Sequence, residues 1–181
     1  MRQVVVYELL SADGVAEEPS DWMFDVDEET LAFLRRTIER QDAVLLGRGT
    51  YDYWCDHWPT SDMEPFASFI NGTPKHVFSS SEPAEQWVNS TFVNGPVVDH
   101  VTALKQQPGG DIGVHASITL ARSLLRARLV DELRLVVAPT LAGSGRRLFD
   151  DIGDMRRLEL LESERTPAGN LLLVYRLVPE S

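Results

Sequence analysis

The stretch from residue 112 to residue 138 limits the possible folds more than any other part of the chain. Residues 112–114 form a short apolar run. Residues 117–126 carry Leu120, Leu124 and Leu125 at helical spacing, and residues 132–138 are apolar again. A helical period between two strand-like runs predicts a βαβ crossover, which belongs to a parallel sheet covered on both faces. Upstream, Val4, Val5, Val6 and Tyr7 read as a first strand over 3–9 that is also buried on both sides. Further strands are predicted over 43–46, 75–79 and 91–93. Helices are predicted over 28–40, 62–70 and 96–105. The helix over 28–40 has Asp27 as its N-cap, and the one over 62–70 has Ser61 and Glu64 at capping-box spacing. Strands over 157–165 and 170–178 close the chain as a hairpin, with Thr166-Pro167-Ala168-Gly169 as its turn.

The expected architecture is therefore an α/β fold of about eight strands and four helices. Its mixed, mostly parallel sheet has helices on both faces and an antiparallel edge. At 181 residues the chain is read as one domain, large enough to bury roughly 70% of its unfolded surface without staples. A formal charge of −11 argues against non-specific binding to nucleic acid or an anionic membrane. The single cysteine, Cys55, excludes a disulfide scaffold. With no long apolar run and no signal-peptide pattern, the expected address is the cytoplasm.

In such sheets ligands bind where strands end and helices begin. Three turns fit that position. Gly47-Arg48-Gly49-Thr50 offers close backbone approach and a forked cation, although Asp52 stands where a dinucleotide fingerprint would need its third glycine. Ser79-Ser80-Ser81 offers small hydroxyls, and His115-Ala116-Ser117-Ile118-Thr119 opens a helix whose amides face an anion. Each is equally compatible with an ordinary turn. His115 can equally be a neutral ring packed on the sheet. The basic loop Gly143-Ser144-Gly145-Arg146-Arg147 either binds phosphate or is simply solvated.

Metal chemistry finds no support. The four histidines are not spaced as ligands, and the acidic run at 25–29 lacks the glycine of a calcium loop. Cys55 near His57 suggests a thiol nucleophile, but residues two apart do not share a helix face. Trp22, in a polar loop, is the best candidate for stacking on a flat ligand.

Taken in order, Ser11-Ala12-Asp13-Gly14-Val15, Leu46-Gly47-Arg48-Gly49-Thr50-Tyr51, Val77-Phe78-Ser79-Ser80, Asp111-Ile112-Gly113-Val114-His115-Ala116-Ser117, Leu129-Val130-Asp131-Glu132-Leu133 and the run from Pro139 to Phe149 span nearly the whole chain. This series resembles the dihydrofolate reductase-like superfamily. The similar branch is the C-terminal reductase domain of the bifunctional riboflavin-biosynthesis deaminase-reductase. The resemblance implies a three-layer α/β/α domain and an NADPH-dependent reductase of a small, heterocyclic substrate. It implies that Gly47, Arg48 and Thr50 hold phosphates, and that Ser79 and Ser80 sit at the adenosine 2′-phosphate. Val114, His115, Ala116, Ser117, Ile118 and Thr119 would run beneath the pyrophosphate and nicotinamide ribose. Trp22, Thr30 and Phe33 would line the substrate side, with Tyr51 and Trp54 closing the cleft. Asp13 and Asp27 are the candidate proton donors. A homodimer is implied too, with the C-terminal hairpin and the 143–149 loop as candidate interfaces.

Two departures shape the expectation. Dihydrofolate reductases proper place an acid directly before the Leu-Ala-aromatic segment of the first helix. Here that residue is Thr30, before Leu31-Ala32-Phe33, and a hydroxyl cannot pair with a pterin amidine. Dihydrofolate is therefore not the expected substrate. Ala116 and Ser117 also stand where the family usually has glycines, which narrows the cofactor cleft. The zinc deaminase half of the bifunctional enzyme has no counterpart. The alternative to a reductase is a non-enzymatic nucleotide- or small-molecule-binding protein on the same fold.

Overall fold

The computed structural model describes residues 1–178. Five helices and eight strands follow in the order β1 (Val4–Leu10), α1 (Glu28–Ile38), β2 (Gln41–Gly47), α2 (Arg48–His57), α3 (Phe66–Gly72), β3 (Lys75–Phe78), β4 (Ser90–Val93), α4 (Val97–Gln106), β5 (Asp111–His115), α5 (Ile118–Arg126), β6 (Glu132–Val137), β7 (Leu158–Arg165) and β8 (Leu171–Leu177). All strands join one sheet in the order β4-β3-β2-β5-β1-β6-β8-β7. The first six positions are mutually parallel, and β8 runs antiparallel to both β6 and β7. The expected βαβ unit is β5-α5-β6, but its strands are not neighbours, because β1 lies between them.

Burial follows the two-residue period of the strands. On one face, Val4, Val6 and Leu10 of β1 meet Val101 and Leu104 of α4 and Leu120, Ala121 and Leu124 of α5. On the other, Val44 and Leu46 of β2 pack with Ile38 of α1, Tyr51 of α2 and Phe66 and Ile70 of α3, while Tyr7 and Val136 meet Phe33. Among the described residues no helix is long and apolar enough to cross a membrane.

Two local expectations need correction. The helix expected over 62–70 runs instead from Phe66 to Gly72. Pro65 restrains the residue before it from helical geometry. The anticipated cap residues bond elsewhere: Ser61 accepts from the Met63 N–H (3.2 Å), and Glu64 accepts from the Ser68 hydroxyl (2.6 Å). The second correction is α2 itself, a further helix that the four expected from the sequence do not include. Gly49, Thr50 and the aromatics that follow are weak helix formers. Tertiary contacts hold the helix instead. Tyr51 is fully buried, and its hydroxyl donates to the Glu85 carbonyl (3.0 Å) and accepts from the Trp87 N–H (2.8 Å).

Candidate functional site

A cleft of about 410 Å³ opens at the carboxyl ends of β2, β3 and β5. Gly47, Arg48, Gly49 and Thr50 form one wall, Phe78 and Val97 another, and Ser117–Leu120 with Ser123 a third; Arg146 stands at the rim. Three helices begin here. The N-caps of α2, α4 and α5 are Gly47, Pro96 and Ser117, and none places a side-chain cap on the first turn. Their free amides and dipoles converge on one space.

Hydrogen bonds fix the walls to each other. The Gly47 N–H donates to Ser117 Oγ (3.1 Å), and that hydroxyl donates to Thr50 Oγ1 (3.1 Å). Arg48 Nε donates to both carboxylate oxygens of Asp52 (2.7 and 2.8 Å), which aims the guanidinium along α2. Its Nη1 reaches Ser79 Oγ (3.2 Å), the Ser81 carbonyl (3.1 Å) and Ser81 Oγ (3.2 Å). Ser81, not Ser80, therefore completes this hydroxyl set, and Ser80 is exposed.

Arg146 supplies a second cation. Its Nε donates to Glu17 Oε1 (2.6 Å), its backbone N–H to Glu17 Oε2 (3.1 Å), and its Nη1 approaches Thr119 Oγ1 (3.4 Å). The bonds from Arg146 hold the Glu17 carboxyl below its usual range. The 143–149 loop, a candidate interface in the sequence, is thus part of the cleft. Its shape requires glycine at 145, where φ is +115° and a Cβ would meet Val15 Cγ1 at 2.8 Å. Behind the Arg146–Glu17 pair lies a second hollow of about 460 Å³. It is lined by Glu18, Asp21, Trp22, Phe24 and the 140–145 loop.

Several anticipated site residues lie elsewhere. Val114 is wholly buried beneath the cleft floor. The His115 ring is buried among Tyr7, Phe66 and Phe69, with Nε2 2.8 Å from Gln41 Oε1. Burial pushes its pKa down to about 3, so the ring is neutral. Ala116 takes the left-handed conformation, φ +56°, that the family's glycine adopts freely. Ser117, Ile118 and Thr119 do line the cleft.

The expected substrate group is not assembled. Phe33 and Tyr51 are core residues, and Trp54 packs edge-on against Trp58 and Phe66. The Thr30 hydroxyl donates to Asp27 Oδ1 (2.6 Å) and accepts from Asn170 Nδ2 (3.2 Å), fastening α1 to the β7–β8 turn. Trp22 lines the second hollow but is largely buried, its indole N–H donating to the Glu17 carbonyl (2.9 Å). Phe24, not anticipated as a ligand contact, is 76% exposed there.

Neither candidate acid can give up a proton. Asp13 accepts from the Ser11 hydroxyl (2.6 Å) and from the Ala142 and Gly143 N–H groups (both 2.9 Å), which hold it well below the carboxylate range. Burial acts to raise Asp27, but bonds from Thr30, Thr166 and Ala168 outweigh it and keep it ionised. The Cys55 thiol is raised by burial and then by Asp56, Asp52 and Glu85, opposite to what a nucleophile needs. Among the described residues no His, Cys, Asp and Glu cluster could hold a metal.

Comparison with known proteins gives a consistent picture. Residues 2–172 match the family model of the RibD C-terminal domain. An uncharacterized Bacillus subtilis (strain 168) protein, YyaP, is 26% identical over 96% of this chain and 94% of its own length. A Shewanella sp. PV-4 protein provisionally assigned to riboflavin biosynthesis superposes with a TM-score of 0.77 at 21% identity, covering 98% of this chain and 99% of that one. The Thermotoga maritima diaminohydroxyphosphoribosylaminopyrimidine deaminase/5-amino-6-(5-phosphoribosylamino)uracil reductase superposes at 0.70 with 16% identity, over 98% of this chain and 57% of that one.

Proposed function

The chain belongs to the RibD C-terminal domain family, and on that footing we propose that it is an NADPH-dependent reductase of a small, flat heterocycle. One observation carries the cofactor reading: three uncapped helix N-termini and two arginines face the same cleft in a protein whose net charge is −11. Such a site suits a ligand with several phosphate charges, and its field is local, so the acidic surface does not oppose it. Arg48 with Ser79 and Ser81 would take the adenosine 2′-phosphate. The first turns of α2 and α5 would take the diphosphate, with Arg146 at the far end. Bound there, the dinucleotide would supply a hydride, and the protein's part is to hold and orient it. The cytoplasm, where such cofactors are kept reduced, is the proposed address.

Turnover is tested by following NADPH absorbance with a panel of cyclic imines and ketones. At least one member is expected to be reduced, and dihydrofolate is expected to be inert because Thr30 is committed to Asp27 and Asn170. Consumption with dihydrofolate, or with none of the panel, counts against this reading. One observation favours a second reading, nucleotide binding without turnover: Phe33 and Tyr51 are packed in the interior and the half-buried Trp54 against it, instead of lining a substrate pocket.

We further propose a homodimer through the C-terminal hairpin. All eight residues of β7 are exposed, and Leu158, Leu160, Leu161 and Leu171 leave an apolar surface on the edge of the sheet. Light scattering is expected to give twice the chain mass for the native protein and the single mass for Leu160→Glu. A native monomer would refute the interface.

A further inference from the structure

Adding a hydride to a neutral C=N or C=O bond also requires a proton, and Asp13 and Asp27 are both locked as carboxylates. A substrate whose reacting group already carries a positive charge removes that need. We propose that the second hollow, beyond the Arg146–Glu17 pair, binds the substrate as a flat iminium cation, with Glu18 and Asp21 selecting its charge and Phe24 stacking on its ring. The inference rests on the reductase reading above and names the substrate class of that site.

The hollow adjoins the cofactor cleft. Gly145 lines the hollow, and the next residue, Arg146, stands on the cleft rim; Glu17, which pairs with Arg146, also lines the hollow. Both walls are held in place. Asp13, just after β1, accepts from the Ala142 and Gly143 N–H groups (both 2.9 Å) and so fixes the loop on one side. On the other, a helical turn over Pro19–Asp21 is fastened by the Trp22 indole, which donates to the Glu17 carbonyl (2.9 Å), and by the Met23 N–H, which donates to the Pro19 carbonyl (2.8 Å).

The walls define the occupant. Phe24 and Leu141 are large and apolar, yet each is 76% exposed, and with Trp22 they border a space of about 460 Å³. A planar ring placed there would cover apolar surface that the fold leaves in water. Charge then selects among planar rings. Glu17, Glu18 and Asp21 share the lining, and among the described residues no Lys, Arg or His does. Arg146 occupies both oxygens of Glu17. Glu18 and Asp21 are exposed, and among the described residues neither side chain has a hydrogen-bond or ion-pair partner. Two uncompensated carboxylates and an exposed aromatic ring around one hollow suit a flat cation. A phosphorylated ring would meet the same carboxylates with repulsion.

The reaction balances without an acid from this chain. The iminium carbon gains the hydride from the bound dinucleotide, which is oxidised. The C=N π pair becomes the lone pair of a neutral amine, and the positive charge passes to the dinucleotide.

Calorimetric titration with an N-methyl dihydroisoquinolinium ion, a flat iminium with no proton to gain or lose, tests this against α-tetralone, a neutral ketone of similar outline. Each is titrated into the native protein with and without saturating NADP+. The iminium is expected to bind at least about tenfold more tightly than the ketone, from two exposed charge contacts and one cation–aromatic contact. In the double variant Glu18→Gln/Asp21→Asn that advantage is expected to fall below about threefold, with NADPH affinity within about threefold of native. With NADPH, the native protein is expected to oxidise the nucleotide on the iminium and not on the ketone. Equal affinity for the two probes, an advantage that survives the double variant, or a bound iminium that consumes no NADPH overturns the proposal. A protein that binds NADPH but not the iminium loses this inference alone; one that binds neither nucleotide loses the reductase reading, and the inference with it.

Discussion

Acid is expected to destabilise this protein through His115 as pH falls below the ordinary histidine range. The folded ring has its pKa pushed down to about 3 by burial, whereas an unfolded histidine titrates near pH ~6.5. Between those values the unfolded chain binds a proton that the folded ring refuses. The stability is therefore complete above the unfolded value and is lost as pH drops toward the folded one. The slope is about 1.4 kcal/mol per pH unit, so roughly 5 kcal/mol is at stake across the window. Glu8 acts in the opposite sense: with a raised folded pKa, its contribution is present in acid and lost as pH rises through that value. Denaturant midpoints of native protein and His115→Asn, compared at each pH, separate the two. The native advantage is expected to shrink by about 3 kcal/mol between about pH 7 and about pH 4. An advantage that does not change with pH would mean that the ring is not buried neutral.

Gly113→Ala is expected to destabilise the fold beneath the site strongly. A Cβ at Gly113 would lie 2.1 Å from Gln41 Oε1, 2.6 Å from its Cδ and 2.9 Å from His115 Nε2. The new methyl has no room unless Gln41 leaves, and that breaks the buried Gln41–His115 bond as well. Overpacking and an unpaired buried acceptor together cost about 3 kcal/mol, or about 6–12 °C in Tm for a chain of this length. A Tm within about 2 °C of native would show that Gln41 has another place to go.

The part of this molecule that the sequence reveals is the part set by local pattern. Consecutive apolar residues in β1, the helical spacing of Leu120, Leu124 and Leu125, and the turn before Asn170 each report their own environment. So do the glycine turn after β2 and the Ser117–Thr119 turn after β5, and both line the cleft. The rest depends on partners far apart in the chain. Helix α2 has poor intrinsic propensity and exists because Tyr51 is held by Glu85 and Trp87. Arg146 enters the cleft through Glu17, at a sequence separation of 129. The misplacement of Tyr51, Phe33 and Trp54 has one cause: an aromatic side chain carries the same signal whether it faces a ligand or the core. Ser81 was visible in the same hydroxyl run as Ser80, but only the direction of Arg48 distinguishes them.

Calorimetric titration with NADPH and NADH, on native protein and on Arg48→Ala, tests the cofactor site most directly. The native protein is expected to prefer NADPH by about tenfold or more, since the extra phosphate would meet a guanidinium already oriented by Asp52. Arg48→Ala is expected to lose most of that preference and leave NADH affinity nearly unchanged. Failure of both nucleotides to bind the native protein at millimolar concentration, or an NADPH preference that survives Arg48→Ala, would contradict the assignment of this cleft.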